Sequence, residues 1–287
     1  MALVAGVALT LSACGSEDAE TDSGSEAAVE VDSESEAAGM VPDAIKEDGK
    51  IVVGTDASYA PSEFLDTDGE TIIGMDIDLF TAVAAEMGLE VEFQNADFGS
   101  IIAGVDGGKY EMGVSSFTIN DERKAEVNMV NYFSAGTQWA VAEGNPESVD
   151  PDSPCGLTVT VQANTVQDLD DLPPKAEACE TDGNPMEILQ FDGQDQATAA
   201  LVSGKADAML ADSPVVSYAI TQVEGIEAVG EIYDAAPYGY VIPMDQTELA
   251  DAIVVALNSL VENGGYEEVL AEWGQGEGAI NDFAVNP

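Results

Sequence analysis

The chain is 287 residues long and sets 56 Asp and Glu against 7 Lys and Arg, a formal net charge of −49 at pH 7. Such a surface repels nucleic acid and anionic lipid, excluding both as natural partners. It is tolerable where salt screens self-repulsion, so a halophilic or salt-tolerant source is expected. The sequence contains no histidine, which removes Ser-His-Asp and Cys-His catalysis, imidazole metal sites and the usual near-neutral general base.

The chain opens on MALVAGVALTLSAC, residues 1–14, an apolar run ending in small residues and a cysteine and too short to span a bilayer as mature structure. LSAC resembles a bacterial lipobox, where cleavage ahead of Cys14 leaves a lipidated thiol and tethers the mature chain to the outer face of a membrane. The Lys/Arg stretch usual before such a run is missing, pointing either to an upstream start codon or to a truncated chain. The alternative is an ordinary acidic tail behind a chance hydrophobic start. Residues 15–40 hold nine acidic residues, no basic one, and otherwise mostly Ser, Ala and Gly. They bury too little apolar surface to fold and read as a disordered acidic tether.

From residue 41 strands and helices alternate. KIVVGTD is a β-branched strand, IDLFTAVAAEMG an amphipathic helix stopped by Gly88, and LEVEFQNA a strand. FGSIIAGVDGGKY predicts a short helix, EMGVSSF a strand, and DERKAEVNMV another helix. After a linker around GNPESVDPDSP the same grammar restarts: LTVTVQA and ADAMLAD are strands, DQATAALVSG and PVVSYAITQV helices. The close of the chain holds two amphipathic helices broken at Gly264 and Gly265. Two α/β units in series follow from this order. Cys155 and Cys179 are expected to form a disulfide, worth roughly 3–4 kcal/mol in the chain-entropy model; two unrelated buried thiols are the alternative.

Arg123 is the only arginine. Asn120 is a good N-cap, and Asp121, Glu122, Arg123 and Lys124 form the first turn of the predicted helix, so the arginine adds positive charge where the backbone already supplies some. That placement suits a bound carboxylate or phosphate, gripped bidentately. A surface ion pair with Asp121 or Glu126 is the competing reading.

The ordered blocks GTDASYAPSEF, IIGMDIDLFTAVAAEMG, GKYEMGVSSFTINDERKAEVNMVNYF, LTVTVQANTVQDL, SGKADAMLADSPV and ENGGYEEVLAEWG resemble the family 3 extracellular solute-binding proteins, the amino-acid-binding components of ABC importers. The resemblance covers roughly residues 44–276. It implies an α/β, two-lobed periplasmic-binding-protein type II fold with two crossover hinge segments, here near TQWAVAEGN and PYGYVIPM. Residues 41–139 and 240–287 would form a discontinuous first lobe, and residues 140–239 the second.

By the same resemblance Arg123 grips the α-carboxylate of a free amino acid, with Ser116 and Thr118 offering donors to the same group. Asp212, at the end of a second-lobe strand, receives the α-ammonium. Asp56 and Tyr59 lie in the first strand-to-helix loop, Tyr59 and Phe98 match positions that sandwich the ligand side chain, and Thr165 reaches the carboxylate from the second lobe. Read singly, Ser116, Thr118 and Asp212 are as readily turn or cap residues, and the two aromatics plain core. One departure is Tyr59-Ala60-Pro61-Ser62, where relatives carry an aromatic wall. An inward Glu63 would favour a cationic ligand, an outward one a neutral polar ligand. The implied mechanism is hinge closure and delivery to an ABC permease by a lipid-anchored, extracytoplasmic monomer with no catalytic residue, cofactor or metal. A sensing module for a membrane receptor, or a dehydratase-like enzyme on the same scaffold, would share the site.

Overall fold

The computed structural model of the chain describes residues 34–287; the leader, Cys14 and the tether up to residue 33 lie outside them. Helices α1 (Glu36–Met40) and α2 (Asp43–Asp48) precede strand β1 (Lys50–Thr55), whose Ile51 and Val53 are fully buried. A small antiparallel sheet of β2 (Ser58–Tyr59), β3 (Glu63–Leu65) and β4 (Ile72–Ile73) follows. Next come α3 (Met75–Glu86), β5 (Glu90–Asn95), α4 (Phe98–Asp106), β6 (Met112–Gly113), the single turn α5 (Asp121–Lys124) and the long strand β7 (Asn128–Ala142). Beyond it lie β8 (Thr158–Gln162), a π-type turn (Gln167–Asp171), α6 (Leu172–Thr181), β9 (Glu187–Phe191), α7 (Gln194–Val202), β10 (Ala208–Asp212), α8 (Ser213–Gln222), the long strand β11 (Ile226–Ile242), α9 (Thr247–Asn263) and α10 (Gly265–Glu272).

One eight-stranded sheet runs β5-β1-β6-β11-β7-β10-β8-β9. Strand β1 pairs parallel with β5 and β6, and β8 pairs parallel with β9 and β10, so each end of the sheet is a parallel α/β unit. The antiparallel pair β7 and β11 joins them. β11 borders β6 at Val241, whereas β7 borders β10 through Thr137–Val141. Between these contacts, around residues 134–136 and 234–237, both strands pass from one half to the other, and their mutual register slips there. Each half has its own core. Leu79, Phe80, Val83, Ile253 and Leu257 pack in the first, Trp139, Val161, Leu172 and Leu210 in the second. Each such side chain contributes roughly 1.5–3 kcal/mol by leaving water, so both halves have apolar material of their own and the fold is two-lobed.

Three expectations are corrected. The tether does not reach residue 40: Ser35 accepts from the Ala38 N–H at 2.9 Å and caps α1, because Ala37 and Val41 supply enough apolar surface to dock on the core beside α9. The helix predicted over DERKAEVNMV is one turn only. From Asn128 the run NMVNYF is buried on both faces, and its β-branched and aromatic side chains pair with β11 instead of extending a helix. The strand over EMGVSSF shortens to Met112–Gly113, since Ser116 turns into the left-handed region at φ 48°. Cys155 and Cys179 are disulfide-bonded, tying the segment before β8 to α6. Among the described residues no helix is long and apolar enough to cross a membrane.

Candidate ligand-binding cleft

Parallel strands deliver their C-terminal ends to one edge of a sheet, where loops are free to hold a ligand. Here both halves aim that edge at the same gap. Asp56 follows β1, Phe98 opens α4 after β5, Ser115 and Ser116 follow β6, Gln162 ends β8, and Asp212 ends β10. These residues, with Tyr59, Thr118, Arg123, Thr165, Val166 and Gln167, line one narrow cleft. All eight residues expected at a binding site from the sequence therefore lie on its wall.

Arg123 is nine-tenths buried. Asn120 caps its turn, with Oδ1 accepting from the Arg123 N–H at 2.9 Å. The guanidinium donates to the Thr118 carbonyl at 2.8 Å and, across the cleft, to the Asn164 carbonyl at 3.2 Å. Phe98 and Phe117, stacked at 4.7 Å, lie with their centroids 5.3 and 5.4 Å from it. Neither surface partner proposed for it is used: Lys124 takes Asp121 at 3.2 Å, and Arg123 makes no ion pair with any described residue. Burial lowers its pKa, opposed chiefly by the attraction of Asp212. A desolvated guanidinium with unspent N–H donors is strongly receptive to an anion.

Asp212 faces it from the other half. Its carboxylate accepts from the hydroxyls of Tyr59 (2.7 Å) and Tyr238 (2.6 Å) and from Gln167 Nε2 (2.7 Å). Burial raises its pKa, and these three donors together with Arg123 pull it back. An ionised carboxylate has about four acceptor sites, so one remains for a cationic donor. Asp56 Oδ2 accepts from the Phe98 N–H at 3.0 Å and from Gln162 Nε2 at 2.8 Å, while burial raises its pKa. Gln194 N–H donates to Ser58 Oγ at 3.0 Å. With Tyr59–Asp212, Gln162–Asp56 and Arg123–Asn164, this bond draws the two halves together over the cleft.

The remaining expected residues have local work. Ser116 donates from its N–H (2.9 Å) and hydroxyl (3.2 Å) to Asp76 Oδ2, and Thr118 contributes its carbonyl to Arg123. The Thr165 hydroxyl donates to the Gln162 carbonyl at 2.8 Å and shapes the turn after β8. One buried cation and two buried carboxylates thus converge on one gap, a charge pattern complementary to a molecule carrying one carboxylate and cationic groups. Among the described residues no His/Cys/Asp/Glu cluster is arranged to hold a metal ion.

Residues 51–276 match the family described as bacterial extracellular solute-binding proteins, family 3. The chain belongs to that family. It is 40% identical over 249 residues to the arginine-binding protein ArgT of Corynebacterium glutamicum, covering 86% of this chain and 81% of that protein. An ancestral arginine-binding protein solved with bound arginine superposes with a TM-score of 0.72 at 30% identity, covering 78% of this chain and 98% of the other. An ancestral amino acid-binding protein, a precursor of cyclohexadienyl dehydratase, superposes with a TM-score of 0.70 at 30% identity, covering 80% and 98% respectively.

In this solute-binding protein Glu63 points neither into the cleft nor out to solvent. It is fully buried behind the cleft wall, its Oε1 accepting from Ser115 Oγ at 2.9 Å, with Asp76 beside it. Ser62 is fully buried as well and does not line the cleft, so replacing an aromatic there leaves no opening in the wall. Four wall residues escaped the sequence reading: Ser115, Gln162, Val166 and Gln167. Neutral amides carry no charge pattern to betray them. Their only signal is position, at or just beyond the C-terminal end of β8.

Proposed function

We propose that this solute-binding protein captures a free basic amino acid, L-arginine foremost, in the cleft between its lobes and delivers it to a membrane permease of the ABC type. The observation that carries this reading is the buried triad of charges. Arg123 meets the α-carboxylate, Asp212 the α-ammonium, and Asp56 is left for a cationic side chain. The names of the arginine-binding relatives support the same ligand class. Because Glu63 is turned away, the cationic preference falls to Asp56.

The lobes divide where β7 and β11 cross, around residues 134–136 and 234–237, a few residues ahead of the boundaries expected from the sequence. Ligand docks first on the lobe holding Asp56, Tyr59, Phe98, Ser116, Thr118 and Arg123. The other lobe then swings in with Asp212 and Thr165, and differential contact free energy between open and closed forms sets the shift. Lipidation at Cys14 would hold the protein at the outer face of the membrane. The dehydratase-like alternative rests on the scaffold alone, since the solved neighbour with that connection is itself a binding-protein ancestor.

Calorimetric titration in high salt with L-arginine, L-lysine and L-glutamine tests the reading. Removing one partner of a desolvated, hydrogen-bonded charge pair costs about 2–5 kcal/mol, so Arg123→Ala is expected to weaken binding by roughly two to three decades, and Arg123→Lys to stay clearly impaired. Equal affinity of wild type and both variants would remove Arg123 from the site.

A further inference from the structure

We propose that the side-chain oxygen of Gln162 is a second acceptor, beside Asp56, for the terminal donors of the bound side chain, and that it sets the site for a planar guanidinium over a point-like ammonium. The inference rests on the basic-amino-acid reading above.

Gln162 is the last residue of β8 and only 1% exposed. Its Nε2 donates to Asp56 Oδ2 at 2.8 Å and to the Asp192 carbonyl at 3.1 Å. Both partners are acceptors, so the amide nitrogen must lie on that side and the amide cannot be turned over. Oε1 is thereby committed to the other side, where it is buried with no hydrogen-bond partner on a residue that lines the cleft. An acceptor buried without a donor is costly, and the side-chain donors of four other cleft-lining residues are engaged elsewhere. The Ser116 hydroxyl serves Asp76, the Thr165 hydroxyl serves the Gln162 backbone, the Tyr59 hydroxyl serves Asp212, and the Gln167 amide serves Thr137 and Asp212.

A donor carried in by cargo would satisfy Oε1. The bond from Nε2 to Asp56 also fixes the two acceptors against each other, so they act as a preformed pair. A guanidinium carries N–H donors on separate nitrogens in one plane and can serve both at once. An ammonium radiates its three N–H groups from a single atom and matches a separated pair less well.

The test is calorimetric titration of the full chain with L-arginine and with L-lysine, for wild type and Gln162→Met, which keeps length and volume but offers no amide oxygen. Losing a hydrogen bond to a charged donor predicts arginine binding roughly ten- to a hundred-fold weaker, with lysine weakened less, so that the arginine-to-lysine ratio falls. Gln162→Asn, which retains an amide but withdraws it by one methylene, is expected to lower the same ratio and guards against a variant that fails to fold. An unchanged ratio in folded variants, even with both ligands weakened equally through loss of the link to Asp56, overturns the inference and leaves the functional reading standing. Failure of the wild type to bind either amino acid removes the reading, and the inference with it.

Discussion

Glu63 and Asp76 stand together behind the cleft, both fully buried, and among the described residues no cation is paired to either. Asp76 Oδ2 accepts from the Tyr132 hydroxyl at 2.5 Å as well as from Ser116, whereas Glu63 accepts from Ser115 and shares a side-chain hydrogen bond with Asp76. Burial and then the nearby Asp76 push the Glu63 carboxyl well above its usual range; burial pushes Asp76 up to about 6 against the help of its donors. Glu63 is the member that keeps its proton. A native state that binds more protons than the unfolded chain loses stability as pH rises from the unfolded pKa to the folded one, by up to about 1.4 kcal/mol per pH unit for each proton held. Glu63→Gln imitates the neutral acid, so its melting temperature is expected to match wild type near pH 4.5 and to exceed it increasingly from pH 6 to 8, measured in high salt. Parallel profiles for the two proteins would mean that Glu63 is ionised in the native state. Nothing in the local sequence distinguishes these two from the other acids, because their identity as a pair depends on β3 and α3 meeting behind Ser115.

At the scale of elements, much of the architecture was legible. β1 and β8 are β-branched runs, β5 and β10 lie within the short strands read from the sequence, and α7, α8 and α9 sit where their periodicity placed them. What escaped was decided by tertiary pairing. β7 begins inside a predicted helix because its residues have β11 to pair with, and α6 was missed because Pro173 and Pro174 look like breakers although a first helical turn accepts them. The crossing of β7 and β11 also depends on a residue chosen for what it lacks. A Cβ on Gly136 would lie 2.5 Å from Ile232 Cγ2 and 2.8 Å from the Tyr233 carbonyl oxygen, and the backbone atom cannot step aside cheaply. Gly136→Val is expected to destabilise the fold by about 1–3 kcal/mol in denaturant titration, as overpacking does. A variant as stable as wild type would show that the strands have more room where they cross than this geometry gives them.

The whole molecule must reconcile a charged exterior with a cleft that works by charge. Among the described residues the ion pairs are Lys50–Glu92, Lys124–Asp121 and Lys175–Asp171, none of them in the cleft. Seven Lys and Arg cannot neutralise 56 acids, and the repulsion among the acids opposes the compact state. Salt acts on that repulsion first, since the screening length is about 10 Å at 0.1 M and about 3 Å at 1 M. Arg123, Asp56 and Asp212 are enclosed between lobes, where screening is weaker. The melting temperature is thus expected to rise from tens of millimolar to molar salt, while the calorimetric dissociation constant for arginine moves by less than roughly tenfold. Both are to be measured side by side on one preparation. Equal stability at the two extremes would undo the inference of adaptation to salt. An affinity that collapses as salt is added would mean that the acidic exterior, and not the three buried charges, holds the ligand.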